Sequence, residues 1–96
     1  MINAVVLLKV EVHSIPETAA AIAALEKVSE VYSVAGEWDL VVVIRVKEHD
    51  ELAEVITGKL DKLPGITKST SLIAFQVFSK HDLDRMFSVG FEETTA

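Results

Sequence analysis

Two segments of alternating aliphatic residues constrain the fold of this chain more than any other feature of its sequence. In residues 2–12 and 38–47, every even-numbered residue is apolar. A period of two is typical of a β-strand that buries one face. The odd-numbered residues that are also apolar, in the middle of each segment, are Val5, Leu7, Val41 and Val43. A sheet built from these strands therefore has apolar side chains on both faces.

Helical patterns alternate with the strand patterns. Ser14 and Glu17 fit a Ser-x-x-Glu capping box, and we predict that the helix they begin ends near Lys27. Asp50 is predicted to cap a second helix, which ends before the Pro64-Gly65 pair. Strands are predicted over residues 2–12, 31–35, 38–47 and 66–78, and a last short helix is predicted after residue 79.

This order of elements predicts the fold class. A β-α-β-β-α-β chain with right-handed crossovers forms an α+β, ferredoxin-like fold, in which two helices cover one face of a four-stranded antiparallel sheet. The other face would remain as a contiguous apolar patch. Burying about 800 Å² of it at about 25 cal/mol per Å² would release about 20 kcal/mol before the cost of association. We therefore predict that two sheets pack face to face as a dimeric α/β barrel.

Composition excludes several classes of function. The 96 residues carry nine basic and fifteen acidic side chains, a net charge of −6, and the only arginines are Arg45 and Arg85. Binding to nucleic acid or to an anionic membrane needs clustered cations, so neither is expected. The chain has no cysteine, which excludes disulfides and thiol catalysis. It also has no signal-peptide pattern or apolar run of about 20 residues, and we expect a cytoplasmic protein.

No catalytic or metal-binding motif is visible in the sequence. His13, His49 and His81 do not share a metal-ligand spacing, and no glycine-rich phosphate loop is present. The acidic residues near Asp50 are typical of the first turn of a helix, where they complement the helix dipole. We therefore predict a protein that is not an enzyme and that needs no metal or cofactor.

The turn before the third predicted strand admits two interpretations. Gly36, Trp38 and Asp39 could simply turn the chain and anchor the tryptophan in the core. Alternatively, the glycine lets a ligand approach turn N–H groups, and the aspartate meets an ammonium group, which together suit an amino acid. Ser69 and Ser71 are either ordinary polar strand residues or additional hydroxyl donors from this or another subunit.

These motifs resemble the effector domain of the Lrp/AsnC family of amino-acid-responsive regulators, also called the RAM domain. The matching segments are Gly36-x-Trp38-Asp39, then Leu60-x-x-Leu63-Pro64-Gly65-Ile66, then a strand rich in serine and threonine. The resemblance spans residues 2 to about 80. We accordingly divide the chain into a ligand-binding domain over residues 1–80 and a helical extension and tail over residues 81–96.

The resemblance implies a regulatory role. In this family the dimers assemble into rings of eight or ten subunits and hold their effectors between dimers. Transferred to matching positions, the ligand-binding residues would be Gly36, Trp38, Asp39, Ser69 and Ser71. Family members usually carry an N-terminal helix-turn-helix, whereas this chain resembles the stand-alone effector domains. We therefore expect it to bind a small amino acid or related metabolite and to modulate transcription through family members that have a helix-turn-helix.

Two alternatives share this topology. A small dimeric-barrel enzyme such as a monooxygenase would have a roomy cavity between its helices and sheet, lined by histidine or aromatic residues. A pure assembly module, or another amino-acid-binding regulatory domain such as the ACT type, would pair its strands edge to edge instead of face to face. The predicted aliphatic core disfavours the enzyme, and the apolar second face of the sheet disfavours the ACT arrangement.

Overall fold

The computed structural model describes residues 1–78 and Lys80. The elements in chain order are β1 (Ile2–Val10), α1 (Ile15–Ala23), β2 (Val28–Ser33), β3 (Leu40–Val46), α2 (His49–Gly58) and β4 (Ile66–Ile73). Short 3-10 turns at Val12–Ser14 and Leu60–Lys62 precede α1 and follow α2. This order confirms the predicted α+β, ferredoxin-like fold. The predicted C-terminal helix and tail, residues 81–96, lie outside the described residues.

The four strands form one antiparallel sheet in the order β2-β3-β1-β4. In this register Ala4 of β1 lies opposite Ile44 of β3 and Ile73 of β4. Because side chains alternate along each strand, the even positions of β1 and β3 share one face with the odd positions of β4 from Ser69 to Ile73. The helices pack on this face. The opposite face of the sheet, the second face, is the one that the sequence predicts to be apolar as well.

The core lies between the helices and the even-numbered face of β1 and β3. It is aliphatic throughout, and its buried residues are Ala4, Val6, Leu8, Val10, Ile22, Leu40, Val42, Ile44, Val46, Leu52, Val55 and Leu60. Both helices direct an apolar stripe into it, through Ile22 on α1 and through Leu52 and Val55 on α2. Among the described residues, this core has no histidine or aromatic lining of the kind that the enzyme alternative requires.

The second face of the sheet carries a patch of half-buried and exposed apolar residues. Val5 lies opposite Val43 and Leu72, while Leu7 lies opposite Val41. We call this set the open face: Val5, Leu7, Val41, Val43 and Leu72. Leu72 is 52% exposed, and the other four are partly buried. The predicted apolar second face is therefore present.

The first helix is shorter than the sequence pattern predicts. It ends at Ala23 instead of near Lys27, and β2 begins at Val28 instead of residue 31. Val28 pairs with Ile44 of β3, so the chain must leave the helix early enough to reach the sheet.

Ser14 occupies the N-cap position of α1, but its side chain makes no capping hydrogen bond. The predicted capping box is therefore not formed.

The outer strand also ends earlier than predicted. β4 stops at Ile73 instead of residue 78, and the Ala74 N–H donates a last bond of 2.9 Å to the Asn3 carbonyl. β1, the neighbour of β4, begins at Ile2, so the described residues after Ala74 run past the start of β1. Phe75 and Phe78 in this extension are exposed.

Several other boundaries move by one or two residues. β1 ends at Val10 instead of residue 12, and β3 runs from Leu40 to Val46 instead of over residues 38–47. α2 begins at His49 after an N-cap at Glu48, so Asp50 lies in its first turn and is not its cap.

Candidate functional site

The Gly36–Asp39 loop and the start of the serine-rich strand β4 lie at the same end of the sheet. The chain leaves β2 at Ser33 and enters β3 at Leu40, and the connecting loop lies beside the end of β1. Two backbone bonds fix the loop: the Val34 N–H donates to the Asp39 carbonyl at 3.0 Å, and the Asp39 N–H donates to the Leu8 carbonyl at 2.9 Å. The strand β4 begins at the same end, because it runs antiparallel to β1.

Asp39 has a structural partner in its own chain. Its Oδ2 accepts a hydrogen bond of 2.8 Å from the Val10 N–H, at a partly buried position. Val10 lies where β1 ceases to pair with β3, so the carboxylate satisfies a backbone donor that the ladder leaves unpaired. One carboxylate oxygen of Asp39 is therefore committed to joining β1 and β3.

Gly36 is required by the backbone conformation of the loop. Its φ is +132°, in a region that residues with a Cβ rarely adopt. A Cβ built at this position would meet no heavy atom within 4 Å. The space beside the Gly36 backbone is thus open, as the ligand-binding interpretation of the turn requires.

Trp38 lies outside the core. Its ring is half-buried, and the ring centroid lies 5.5 Å from the Nζ of Lys68, within the range of a cation–π contact. Lys68 lies opposite Lys9 of β1, and both positions belong to the side of the sheet that carries the open face. Alternation along β3 would have placed Trp38 on the helix side, but the strand begins only at Leu40. The interpretation of Trp38 as a core anchor is therefore wrong.

Ser69 and Ser71 lie on the opposite side of the sheet from the Lys9–Lys68 pair. They are paired with Leu8 and Val6, whose side chains are on the helix side, and both serines are exposed. The structure thus brings Gly36, Trp38 and Asp39 together in one loop but separates the two serines from Lys68 across the sheet. Their assignment to ligand binding stays a prediction.

Lys9 and Lys68 are the residues of this region that sequence reasoning missed. Lys9 interrupts an otherwise aliphatic stretch of β1, and that interruption is the signal that could have identified it. The register of β1 and β4 shifts directly after this pair, since Lys9 lies opposite Lys68 whereas Val10 lies opposite Ile66. The extra residue, Thr67, donates from Oγ1 to the Lys9 carbonyl at 3.2 Å. Such bulges re-aim neighbouring side chains and are common beside functional sites.

A pocket of about 370 Å³ lies at the same end of the sheet, next to α1. The residues that line it are Glu11, Ser14, Glu17, Thr18, Ala21, Leu63, Pro64 and Gly65. Gly65 has a φ of +93°, and a Cβ there would lie 3.2 Å from the Ser14 Cβ. The glycine of the Leu-Pro-Gly motif is therefore required both by backbone conformation and by its close contact with α1.

Tyr32 and Glu30 border the open face on β2. The Tyr32 hydroxyl donates a hydrogen bond to the Glu30 carboxylate. This bond raises the pKa of Tyr32, with further contributions from repulsion by the Glu30 charge and from burial, while Arg45 opposes the shift.

Within the described residues, no cluster of three or more histidine, aspartate or glutamate side chains could hold a metal ion. No helix there is long and apolar enough to cross a membrane.

Comparison with known proteins identifies the family. Residues 3–83 match the family model of the Lrp/AsnC ligand binding domain. An uncharacterised HTH-type transcriptional regulator of Pyrococcus horikoshii is 34% identical over 59 residues, which cover 62% of this chain and 39% of that protein. The chain thus matches well under half the length of that relative.

Solved structures share the fold of this chain. A protein of Thermus thermophilus superposes with a TM-score of 0.78 and 38% identity, covering 83% of this chain and all of that one. The regulator NMB0573 of Neisseria meningitidis, solved as a complex with L-Met, shares the fold with a TM-score of 0.73 at 12% identity, covering 81% of this chain and 52% of that one. The chain belongs to the Lrp/AsnC ligand-binding domain family.

Proposed function

We propose that this chain is an effector-binding regulatory domain that binds a small amino acid or a related metabolite where two copies meet. The observation that carries the proposal is the position of the Gly36–Asp39 loop at one end of the open face. A copy packed on the open face would bring its own surface close to the loop. A ligand held there would contact both copies and could change how they assemble.

Face-to-face association has a physical basis in the open face. The register of the sheet makes the apolar centre of the open face contiguous, and its residues are Val5, Leu7, Val41 and Val43. Polar residues border this centre on β2 and β3, among them Glu30, Tyr32 and Arg45. An apolar centre with a polar rim is the usual anatomy of a protein interface. The exposed apolar extension after Ile73 adds further surface for a second copy.

The relatives support the regulatory part of the proposal. The matched Pyrococcus horikoshii protein is an HTH-type transcriptional regulator, and the Neisseria meningitidis neighbour is a transcriptional regulator with bound L-Met. We infer that this chain acts on transcription through partners that carry a helix-turn-helix, and that it does so in the cytoplasm. Rings of eight or ten subunits, with Ser69 and Ser71 supplied by a neighbouring dimer, complete the proposed assembly.

Native mass spectrometry and calorimetry with the twenty amino acids at millimolar concentration test the proposal. We expect at least one amino acid to release heat and to add its mass to an oligomer. Gly36→Ala should weaken that binding, because the backbone at φ +132° must rearrange to accept a Cβ. Gly58→Ala is the matched control, since a Cβ there meets only the Glu54 Cγ, at 3.7 Å. A protein that stays monomeric and releases no heat with any amino acid would contradict the proposal.

A further inference from the structure

We propose that the corner formed by Lys9, Lys68 and Trp38 binds an anionic carboxylate, so that the preferred effector is an acidic amino acid or another organic acid with net negative charge. This inference rests on the proposed function and specifies the ligand class. In a chain of net charge −6, this corner places two lysines directly opposite each other.

The two lysines are held side by side. Lys9 and Lys68 are direct partners across β1 and β4, and directly opposite residues have Cβ atoms about 5 Å apart. Like charges at such positions destabilise a sheet. The ion pairs found among the described residues join His13 to Glu11 and Lys27 to Glu51, and neither involves this corner. An anion bound between the two ammonium groups would relieve their repulsion.

The surrounding groups favour an anion over a neutral zwitterion. Asp39 lies next to the Leu8–Leu40 pair, on the side toward Lys9, and its Oδ2 already accepts the Val10 N–H. An ammonium group would therefore face two lysines and a carboxylate with one oxygen already engaged. Trp38 contacts Lys68 at 5.5 Å and limits the freedom of its side chain. The indole also offers an apolar wall for the carbon chain of the ligand.

Isosteric acid and amide pairs provide the test. Calorimetry should compare glutamate with glutamine and aspartate with asparagine, each against the full chain. We expect the acid of at least one pair to bind about 10- to 100-fold more tightly than its amide, because it gains a charge-assisted hydrogen bond. Lys68→Gln and Lys9→Gln should each remove this preference, whereas Lys68→Arg should retain much of it. Lys47→Gln is the matched control, since Lys47 is exposed beyond the opposite end of β3.

The outcomes separate this inference from the proposed function. If the wild-type chain binds none of the amino acids, the proposed function itself fails. If it binds the amides as tightly as the acids, or if Lys68→Gln keeps the preference, the proposed function survives and the anionic site is refuted. If the lysine variants weaken oligomerisation but leave the acid preference intact, the lysines pair with an acidic residue of a second copy, and the inference is again overturned.

Discussion

At the scale of single residues, Asp39 combines a structural and a proposed ligand-binding position. Its Oδ2 accepts the Val10 N–H at 2.8 Å, so truncation leaves a partly buried backbone donor without a partner. We expect Asp39→Ala to lower the free energy of unfolding by about 1–3 kcal/mol, the cost of an unsatisfied buried donor. Asp39→Asn keeps an oxygen acceptor and should cost less. Urea unfolding followed by Trp38 fluorescence measures both values.

Glu37→Ala is the control for Asp39, because Glu37 is exposed in the same loop. A surface substitution there should change stability by no more than about 0.5 kcal/mol. Equal stability of Asp39→Ala and Glu37→Ala would show that the Val10 bond contributes little.

Tyr32 allows a pH-dependent test on a single group, because the chain has one tyrosine. Its hydrogen bond to Glu30 raises its pKa above the ordinary value of 10.0. The folded protein therefore holds the phenol proton more tightly than the unfolded chain does. This contribution to stability is complete below pH 10.0 and is lost as the pH rises through the raised pKa. Absorbance titration at alkaline pH should give a midpoint above 10.0 that falls in Glu30→Gln.

At the scale of elements, two glycines of the α2–β4 region should respond oppositely to alanine. Gly65 has φ +93°, and a Cβ there would lie 3.2 Å from the Ser14 Cβ, so Gly65→Ala should destabilise the protein by about 1–3 kcal/mol. Gly58 ends α2, and its Cβ would meet only ordinary contact with Glu54. Gly58→Ala should therefore be neutral or stabilise by up to about 1 kcal/mol. Thermal unfolding of both variants checks the difference in sign.

Local sequence predicted some strands and helices correctly but not all of their ends. Period-two alternation correctly predicted β1 and β3 and the apolar residues on both faces, since that signal is intrinsic to a strand. The end of β4 depended on a neighbour: Ile73 pairs with Ala4, and β1 begins two residues earlier. The end of α1 depended on Val28 reaching Ile44. Pairing partners are tertiary information, and a local pattern does not contain them.

Part of the candidate site could be predicted from local sequence, and the rest depends on tertiary contacts. The Gly36–Asp39 loop was recognisable from residue types, and the motif-based assignment to the family is correct. The partner of Trp38 was not predictable, because alternation does not continue into the loop and Lys68 is distant in sequence. The separation of Ser69 and Ser71 from Lys68 follows from the β1–β4 register, which the sequence alone does not define.

At the scale of the whole molecule, the sheet has two apolar faces, and the helices α1 and α2 of the described residues cover one of them. Within residues 1–78, the helix side buries twelve residues in an aliphatic core. The open face leaves Leu72 about half exposed, and the extension beyond β4 leaves Phe75 and Phe78 exposed. A small domain has little stability in excess, so covering this surface by self-association would contribute substantially to the folded state.

Substitution at the centre of the open face tests this association. Val5 lies between Val43 and Leu72, so Val5→Glu would bury a charge at the proposed interface. We expect sedimentation velocity at micromolar concentration to show dimers or larger assemblies for the wild type and monomers for Val5→Glu. Ala20→Glu, exposed on α1, adds the same charge on the helix side and should assemble as the wild type does. Circular dichroism should show that both variants keep the fold, and a Val5→Glu protein that assembles normally would place the interface elsewhere.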